Sequence, residues 1–216
     1  MSKSSSGRVI EFILALVVLV FLLLITPLVA LAIKLNCHYP IFYRAKRVGK
    51  DGKIFTMFKF CTFPPGTEEK TATDLIEEEY NQGVVTKVGK FLRRSKIDEL
   101  PQVINVLKGE MALVGPRPAR PEHYELCLSS IPGYAHQTKV KQGITGLAQV
   151  YGGYQTHPKD KLRYNLLYIR RQSILLDLKL MLLTLVTLLF GRGWRQKIRV
   201  LNRQIGQKIS KIKDKR

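Results

Sequence analysis

The chain has 216 residues, room for one modest folded core plus a membrane segment. Its net charge is +20, from 36 Lys and Arg against 16 Asp and Glu, which calls for an anionic partner such as nucleic acid, anionic lipid or a phosphorylated substrate. An apolar share of 45% excludes a disordered basic tail, and the scattered Cys37, Cys61 and Cys127, with no CxxC pair, argue against a disulfide framework or a zinc site and suit reduced thiols.

Residues 13–33 form a run of 21 without a charge. As a helix the run is ~30 Å long, about the thickness of a bilayer's hydrocarbon core. It is longer than a signal-peptide core, and strongly basic sequence follows it. Thr26-Pro27 lies inside, where proline removes a backbone donor and predicts a kink or break. Lys3 and Arg8 precede the run; Lys34, Arg44, Lys46, Arg47 and Lys50 follow it. Positive charge on both flanks gives a spanning helix no preferred orientation. Two topologies therefore stand: a single crossing, or a re-entrant helix that bends at Pro27 and returns to the same face.

Residues 41–48 and 54–60 read as strands joined by Gly49-Lys50-Asp51-Gly52-Lys53, a hairpin with an Asp-Gly turn. Residues 67–83 are polar and acidic, a surface helix or loop. Residues 88–107 are predicted mostly helical with an interruption at Pro101, residues 121–128 helical, and residues 143–153 a glycine-rich loop. Residues 159–190 carry two helical stretches, and the apolar 180–190 is too short to span, which places it at the interface or in the core. Residues 192–216 hold ten Lys and Arg against Asp214 alone, with Ile198, Leu201, Ile205, Ile209 and Ile212 on one helical face. That is a basic amphipathic helix suited to anionic lipid, with nucleic acid as the competing use.

The chemistry concentrates at Asp98-Glu99, adjacent carboxylates preceded by Arg93, Arg94 and Lys96. Neighbours on a helix diverge by roughly 100°, so one carboxylate can attack phosphorus while the other holds a divalent ion with substrate phosphates. The cations predict an Asp98 that is ionised near neutral pH. The plainer account is a helix start whose acids complement the dipole. Arg117, between Pro116 and Pro118, is pre-positioned for a bidentate phosphate contact, or simply sits in a rigid turn. Lys59, between Phe58 and Phe60, is a phosphate ligand or the solvated face of a strand. His38, His123, His136 and His157 show no metal-ligand spacing.

The block KVGKFLRRSKIDELPQVINVLKGEMALVGPRP, residues 87–118, resembles the signature of the bacterial sugar transferases, the monotopic phosphoglycosyl transferases. The resemblance runs from the membrane segment to about residue 190 and includes Phe58-Lys59-Phe60, Gly143-Ile144-Thr145-Gly146-Leu147-Ala148-Gln149-Val150 and Leu175-Leu176-Asp177-Leu178-Lys179. It implies that Asp98 attacks the β-phosphate of a UDP-sugar, releasing UMP, and that polyprenol phosphate then collects the phosphosugar. Glu99 would be a magnesium ligand or proton acceptor, so Mg2+ is the expected cofactor, held by Asp98 and Glu99. Lys59 and Arg117 would bind substrate phosphates, and Asp177 matches a position near the site. The family's membrane segment is re-entrant at a Ser-Pro-like pair, which favours the re-entrant topology for Thr26-Pro27. The family pattern is departed from at Cys61 in an arginine's place, at Gln137-Thr138 for Arg-His, at Gln142 for proline and at Tyr151-Gly152-Gly153 for Asn-Gly-Arg.

The expected fold is a helix-rich α+β domain with an N-terminal re-entrant membrane helix, one β-hairpin and interfacial amphipathic helices. Residues 1–36 form the membrane element, 37–191 the catalytic domain and 192–216 the tail. Expected partners are a UDP-sugar, polyprenol phosphate and anionic lipid, with no nucleic acid, at the cytoplasmic face of a bacterial inner membrane. The rivals are a non-catalytic basic membrane-surface scaffold and a degenerate family member that binds without turnover.

Overall fold

The computed structural model describes residues 5–36, 39–63, 85–152 and 156–190. The predicted acidic segment at 67–83 and the basic tail at 192–216 lie outside the described residues. The rest is helix-rich α+β, as the sequence suggests.

Helix α1, Ser5–Asn36, runs through Pro27 as one assigned helix. Thr26 Oγ1 donates to Leu22 O at 2.6 Å, taking up a carbonyl one turn earlier. One edge of α1 is buried at Ala15, Leu22, Val29 and Ile33, which join the main core, while Leu16, Leu23, Leu24, Leu28 and Leu31 are exposed. The helix is long and apolar enough to cross a membrane. It is tied to the domain by a polar bond as well: Leu113 N donates to Glu11 Oε1 at 2.7 Å.

Strands β1, Phe42–Val48, and β2, Ile54–Phe60, pair antiparallel with Tyr43 opposite Lys59 and Val48 opposite Ile54. The turn takes the form the Asp-Gly pair demands, with left-handed φ of 55° at Asp51 and 77° at Gly52. Phe42 and Phe60 stack at 5.4 Å across the pair.

Helix α2, Lys87–Ser95, starts at Thr86, whose Oγ1 accepts from Gly89 N at 2.9 Å. Its end differs from expectation. The interruption begins at Lys96, in left-handed conformation with φ 60° and ψ 14°, and not at Pro101. A tight 3-10 turn at Ile97–Glu99 follows, and Pro101 serves as the N-cap of α3, Gln102–Leu107.

Strand β3, Met111–Val114, is buried throughout and pairs in parallel with β4, Gln142–Thr145. The glycine-rich loop predicted at 143–153 is thus a strand followed by α5, Leu147–Tyr151. Between β3 and β4 lie α4, Pro121–Ser130, and a 3-10 stretch at Tyr134–Lys139. Helices α6, Pro158–Arg171, and α7, Ile174–Phe190, complete the described chain. In α7 Leu180 is fully buried, while Leu175, Leu178, Leu182, Leu185 and Leu189 form an exposed stripe at helical spacing.

Phe60, Val103, Met111, Val114, Tyr168 and Leu180 form the densest part of the core, each contributing about 1.5–3 kcal/mol through burial. Replacing Glu11 by leucine should lower the thermal midpoint in detergent, because the Leu113 N–H loses its acceptor at a cost of about 1–3 kcal/mol. Glu11→Gln keeps an acceptor oxygen and should melt close to the wild type.

Candidate active site

Three segments converge on Glu99. The left-handed turn at Lys96 drops Asp98 and Glu99 inward, and both are only 6% exposed. Arg117, from the loop after β3, grips Glu99 with both arms of its guanidinium: Nη2 to Oε1 at 3.0 Å and Nη1 to Oε2 at 3.3 Å. Lys96 Nζ donates to the same Oε1 at 3.2 Å, and Lys59 Nζ of β2 stands 3.9 Å from it. The Arg117 side chain is 43% exposed, so this clamp is open to solvent on one side.

Asp98 is treated oppositely. Its Oδ1 is buried and has no hydrogen-bond partner. Burial pushes the Asp98 carboxyl up from its ordinary value; Lys59 pulls it down, Glu99 raises it, and Lys96 and Arg93 pull it down less. The expectation that neighbouring cations set the state of Asp98 is therefore corrected: they do pull it down, but desolvation outweighs them and the net direction is upward. Burial also works to raise Glu99, yet Arg117, Lys59 and Lys96 outweigh it and hold that carboxyl well below the usual range. The pair consists of one saturated carboxylate and one basic, unpartnered carboxylate beside it.

The supports of this clamp come from side chains not singled out in the sequence. Asn105, fully buried in α3, lies along the free edge of β2: it accepts from Phe58 N at 3.1 Å and donates to Thr56 O at 2.7 Å and to Glu110 Oε2 at 2.7 Å. That fixes the strand on which Lys59 rides. The available signal was a lone amide inside the apolar Val103-Ile104-Asn105-Val106-Leu107. On the other side, Tyr168 OH stands 2.9 Å from Val114 O and 2.8 Å from Asp177 Oδ1, and it accepts from Gln172 Nε2 at 3.3 Å. Burial first, then Asp177, drives the Tyr168 phenol strongly upward, so it stays a protonated donor at the end of β3. The loop continues the ladder, with Gly115 N donating to Thr145 O at 2.8 Å and Gly143 N to Pro116 O at 2.7 Å. A Cβ on Gly143 would collide with Gly115 N, and one on Gly146 with Gly115 O, so these glycines permit the approach that aims Arg117.

Of the predicted site residues, Asp98, Glu99, Lys59 and Arg117 are brought together. Asp177 is buried against Tyr168, behind the strand that leads to Arg117. Of the departures from the family pattern, Cys61, Gln137, Thr138 and Gln142 are buried, Tyr151 is exposed and Gly153 lies outside the described residues. Cys61 and Thr62 are buried, and Cys61 Sγ donates to Phe63 O at 3.2 Å. Gln142 Nε2 donates to Gln137 O at 3.2 Å and Val140 O at 3.1 Å, and Asn165 Nδ2 donates to Gln137 Oε1 at 2.7 Å. Gln137 and Gln142 thus belong to a buried amide network.

Among the described residues no three His, Cys, Asp or Glu side chains converge as a metal cage. The oxygen left for a hard cation is the unpartnered Asp98 Oδ1, since both Glu99 oxygens face cations. A donor set of one carboxylate fits Mg2+ completed by phosphate oxygens and water.

A family model described as "Bacterial sugar transferase" matches residues 2–191, and the chain belongs to that family. It is 44% identical over 171 residues to a Klebsiella pneumoniae protein named UDP-glucose:undecaprenyl-phosphate glucose-1-phosphate transferase, covering 76% of this chain and 36% of that one. It is 37% identical over 169 residues to the UDP-N-acetylgalactosamine-undecaprenyl-phosphate N-acetylgalactosaminephosphotransferase of Aeromonas hydrophila, covering 77% and 39%. An uncharacterized sugar transferase of Bacillus subtilis is 36% identical over 185 residues, covering 82% and 86%. The chain spans little more than a third of the first two relatives.

The two carboxylates should separate in stability measurements made with EDTA. Asp98 is raised in the fold, so its contribution is present at low pH and is lost as pH rises through its folded value. Asp98→Asn should therefore melt no lower than the wild type near neutral pH, and the wild type should gain on the variant as pH falls. Glu99 is depressed, so its contribution is present above the ordinary carboxyl value and is lost only well into acid. Glu99→Gln should cost about 2 kcal/mol near neutral pH, with the deficit shrinking only at low pH.

Proposed function

We propose that this chain transfers a phosphosugar from a UDP-sugar to polyprenol phosphate through a covalent phosphosugar on Asp98, starting a surface glycan at the cytoplasmic face of a bacterial inner membrane. The observation that carries this is the buried, unpartnered Asp98 oxygen beside a Glu99 already saturated by cations. A scaffold gains nothing from an orphaned carboxylate oxygen, which costs about 1–3 kcal/mol. A nucleophile needs one, and a raised proton affinity makes the ionised carboxylate a stronger nucleophile.

In the first half, an Asp98 oxygen forms a bond to the β-phosphorus as the bond from that phosphorus to the bridging oxygen breaks. The oxygen leaves with UMP. In the second half, a phosphate oxygen of polyprenol phosphate attacks the same phosphorus and the Asp98 carboxylate departs, giving a polyprenyl diphosphate sugar. Lys59 and Arg117 hold Glu99 and offer their remaining donors to the diphosphate. Glu99 keeps these cations at the site. Asp177 positions the Arg117 strand through Tyr168. Asp98 and Glu99 are the carboxylates that would hold Mg2+, which would supply neutralisation of phosphate charge.

Both substrates meet where cytosol and lipid meet. Charge on both flanks of residues 13–33, and the buried edge of α1 from Ala15 to Ile33, support both ends of α1 lying on one side of the bilayer. The exposed leucine stripe of α7 supports an interfacial placement, and the basic tail supplies attraction to anionic lipid. Cysteines placed at residues 3 and 50 should both resist a membrane-impermeant maleimide in intact cells. Labelling of one with the other protected rules out the same-side topology.

The chemical step is tested by mass spectrometry of the enzyme after exposure to UDP-sugars without acceptor. A phosphosugar adduct should map to the peptide holding Asp98 and be absent in Asp98→Asn, which should also release no UMP. Turnover by Asp98→Asn, or sequential kinetics with no adduct, removes Asp98 as the nucleophile.

A further inference from the structure

Asp98 Oδ1 is one of two unpartnered buried atoms in the same short stretch. The other is Gln102 Nε2, an amide nitrogen with two N–H donors, in a residue 1% exposed. The backbone between them is right-handed throughout. The 3-10 turn at Ile97–Glu99 passes through Leu100 (φ −56°, ψ −36°) and Pro101 (φ −59°, ψ −15°) into α3 at Gln102. Both side chains turn into the interior, at 6% exposure for Asp98 and 1% for Gln102. An acceptor without a donor and a donor without an acceptor are therefore buried within one short turn.

Other buried amides of this domain are spent in full view. Asn105 joins Thr56, Phe58 and Glu110, and Gln142 joins Gln137 and Val140. Gln102 does no such work, and leaving its N–H groups buried and unmatched costs about 1–3 kcal/mol that a leucine would avoid. A group kept at that cost fits a partner that arrives later. The partner has to be an acceptor, and it has to reach the face of Asp98. The non-bridging oxygens of a phosphoryl group under attack by Asp98 satisfy both conditions. Lys59, Lys96 and Arg117 converge on Glu99, and the Gln102 amide adds an uncharged donor four residues from Asp98.

We propose that Gln102 is a catalytic residue that donates from Nε2 to a non-bridging oxygen of the transferring phosphoryl group in both half-reactions. It moves no proton; it stabilises charge that grows on that oxygen as the bond to Asp98 forms or breaks. Its nitrogen is buried, where such a donor is strongest and needs no reorganisation. This inference rests on the transfer reaction proposed above.

The test uses full-length Gln102→Leu and Gln102→Met in detergent, with UDP-glucose, UDP-N-acetylgalactosamine and further UDP-sugars as probes. Three quantities are read: single-turnover UMP release without acceptor, affinity for the UDP-sugar, and thermal midpoint. UMP release should slow roughly a hundredfold, as for loss of one preorganised donor. Affinity should stay within about threefold, because the bond is made in the transition state. The midpoint should hold or rise in at least one variant, a combination that a packing role does not produce. An Asp98 adduct forming at a near wild-type rate in either variant overturns the role of Gln102 and leaves the transfer reaction standing. Midpoints that fall together with the rates in both variants also overturn it, making Gln102 structural. A wild-type enzyme that no UDP-sugar labels at Asp98 overturns both.

Discussion

A carboxylate buried at 6% exposure and shared by three cations holds this domain's functional end together. Glu99 draws Lys59 from the hairpin, Lys96 from the turn that precedes it, and Arg117 from the loop between two parallel strands. Each of these segments also sends apolar side chains into the main core, among them Phe60, Ile97 and Val114. Without the carboxylate, three positive charges would be crowded at one point without the group they share. The surrounding devices serve the same convergence. Asn105 fixes the strand under Lys59, Tyr168 fixes the strand before Arg117, and close glycine contacts bring the loop within reach.

Adjacent acids that differ so much in proton affinity show how a shared environment is divided. Both sit at the same depth, and the same lysines act on both. The difference is geometric: the guanidinium fork closes on Glu99 and leaves Asp98 to desolvation. The cost of burying the pair is met at one member, which leaves the other with a raised proton affinity. This is the arrangement in which two titratable groups a bond apart take different chemical roles.

Local rules made part of this legible in the sequence. The hairpin followed from Asp51-Gly52, which accepts left-handed backbone at both turn residues, and the membrane helix followed from an uncharged run. Family resemblance gathered Asp98, Glu99, Lys59 and Arg117 into one site. What escaped depends on tertiary contact. A lysine in left-handed conformation at position 96 has no local sign, so the helix break was placed at Pro101. Gly143 looked like loop because its strand role appears only when Gly115 is brought against it. The proton affinity of Asp98 depends on burial, which three nearby cations in the sequence disguise. Gln137 stands where the family has an arginine and Gln142 where it has a proline, and the fold joins both in an internal amide network. Gln102 stood within the signature block and drew no notice, since an unsatisfied amide is visible only once every neighbour has been assigned its bonds.

The bond between Glu11 and Leu113 bears on how α1 is seated. Residues 13–33 are apolar on every side, so burial alone distinguishes poorly between one rotational register of the helix and the next. Turning α1 by one residue swings each side chain through roughly 100° and still presents leucine and valine to the core. Such a turn would break the carboxylate's meeting with the β3 backbone. A single acid just outside the greasy stretch therefore keys the helix to the domain, selecting which of several equally oily faces is turned inward and which is left for lipid.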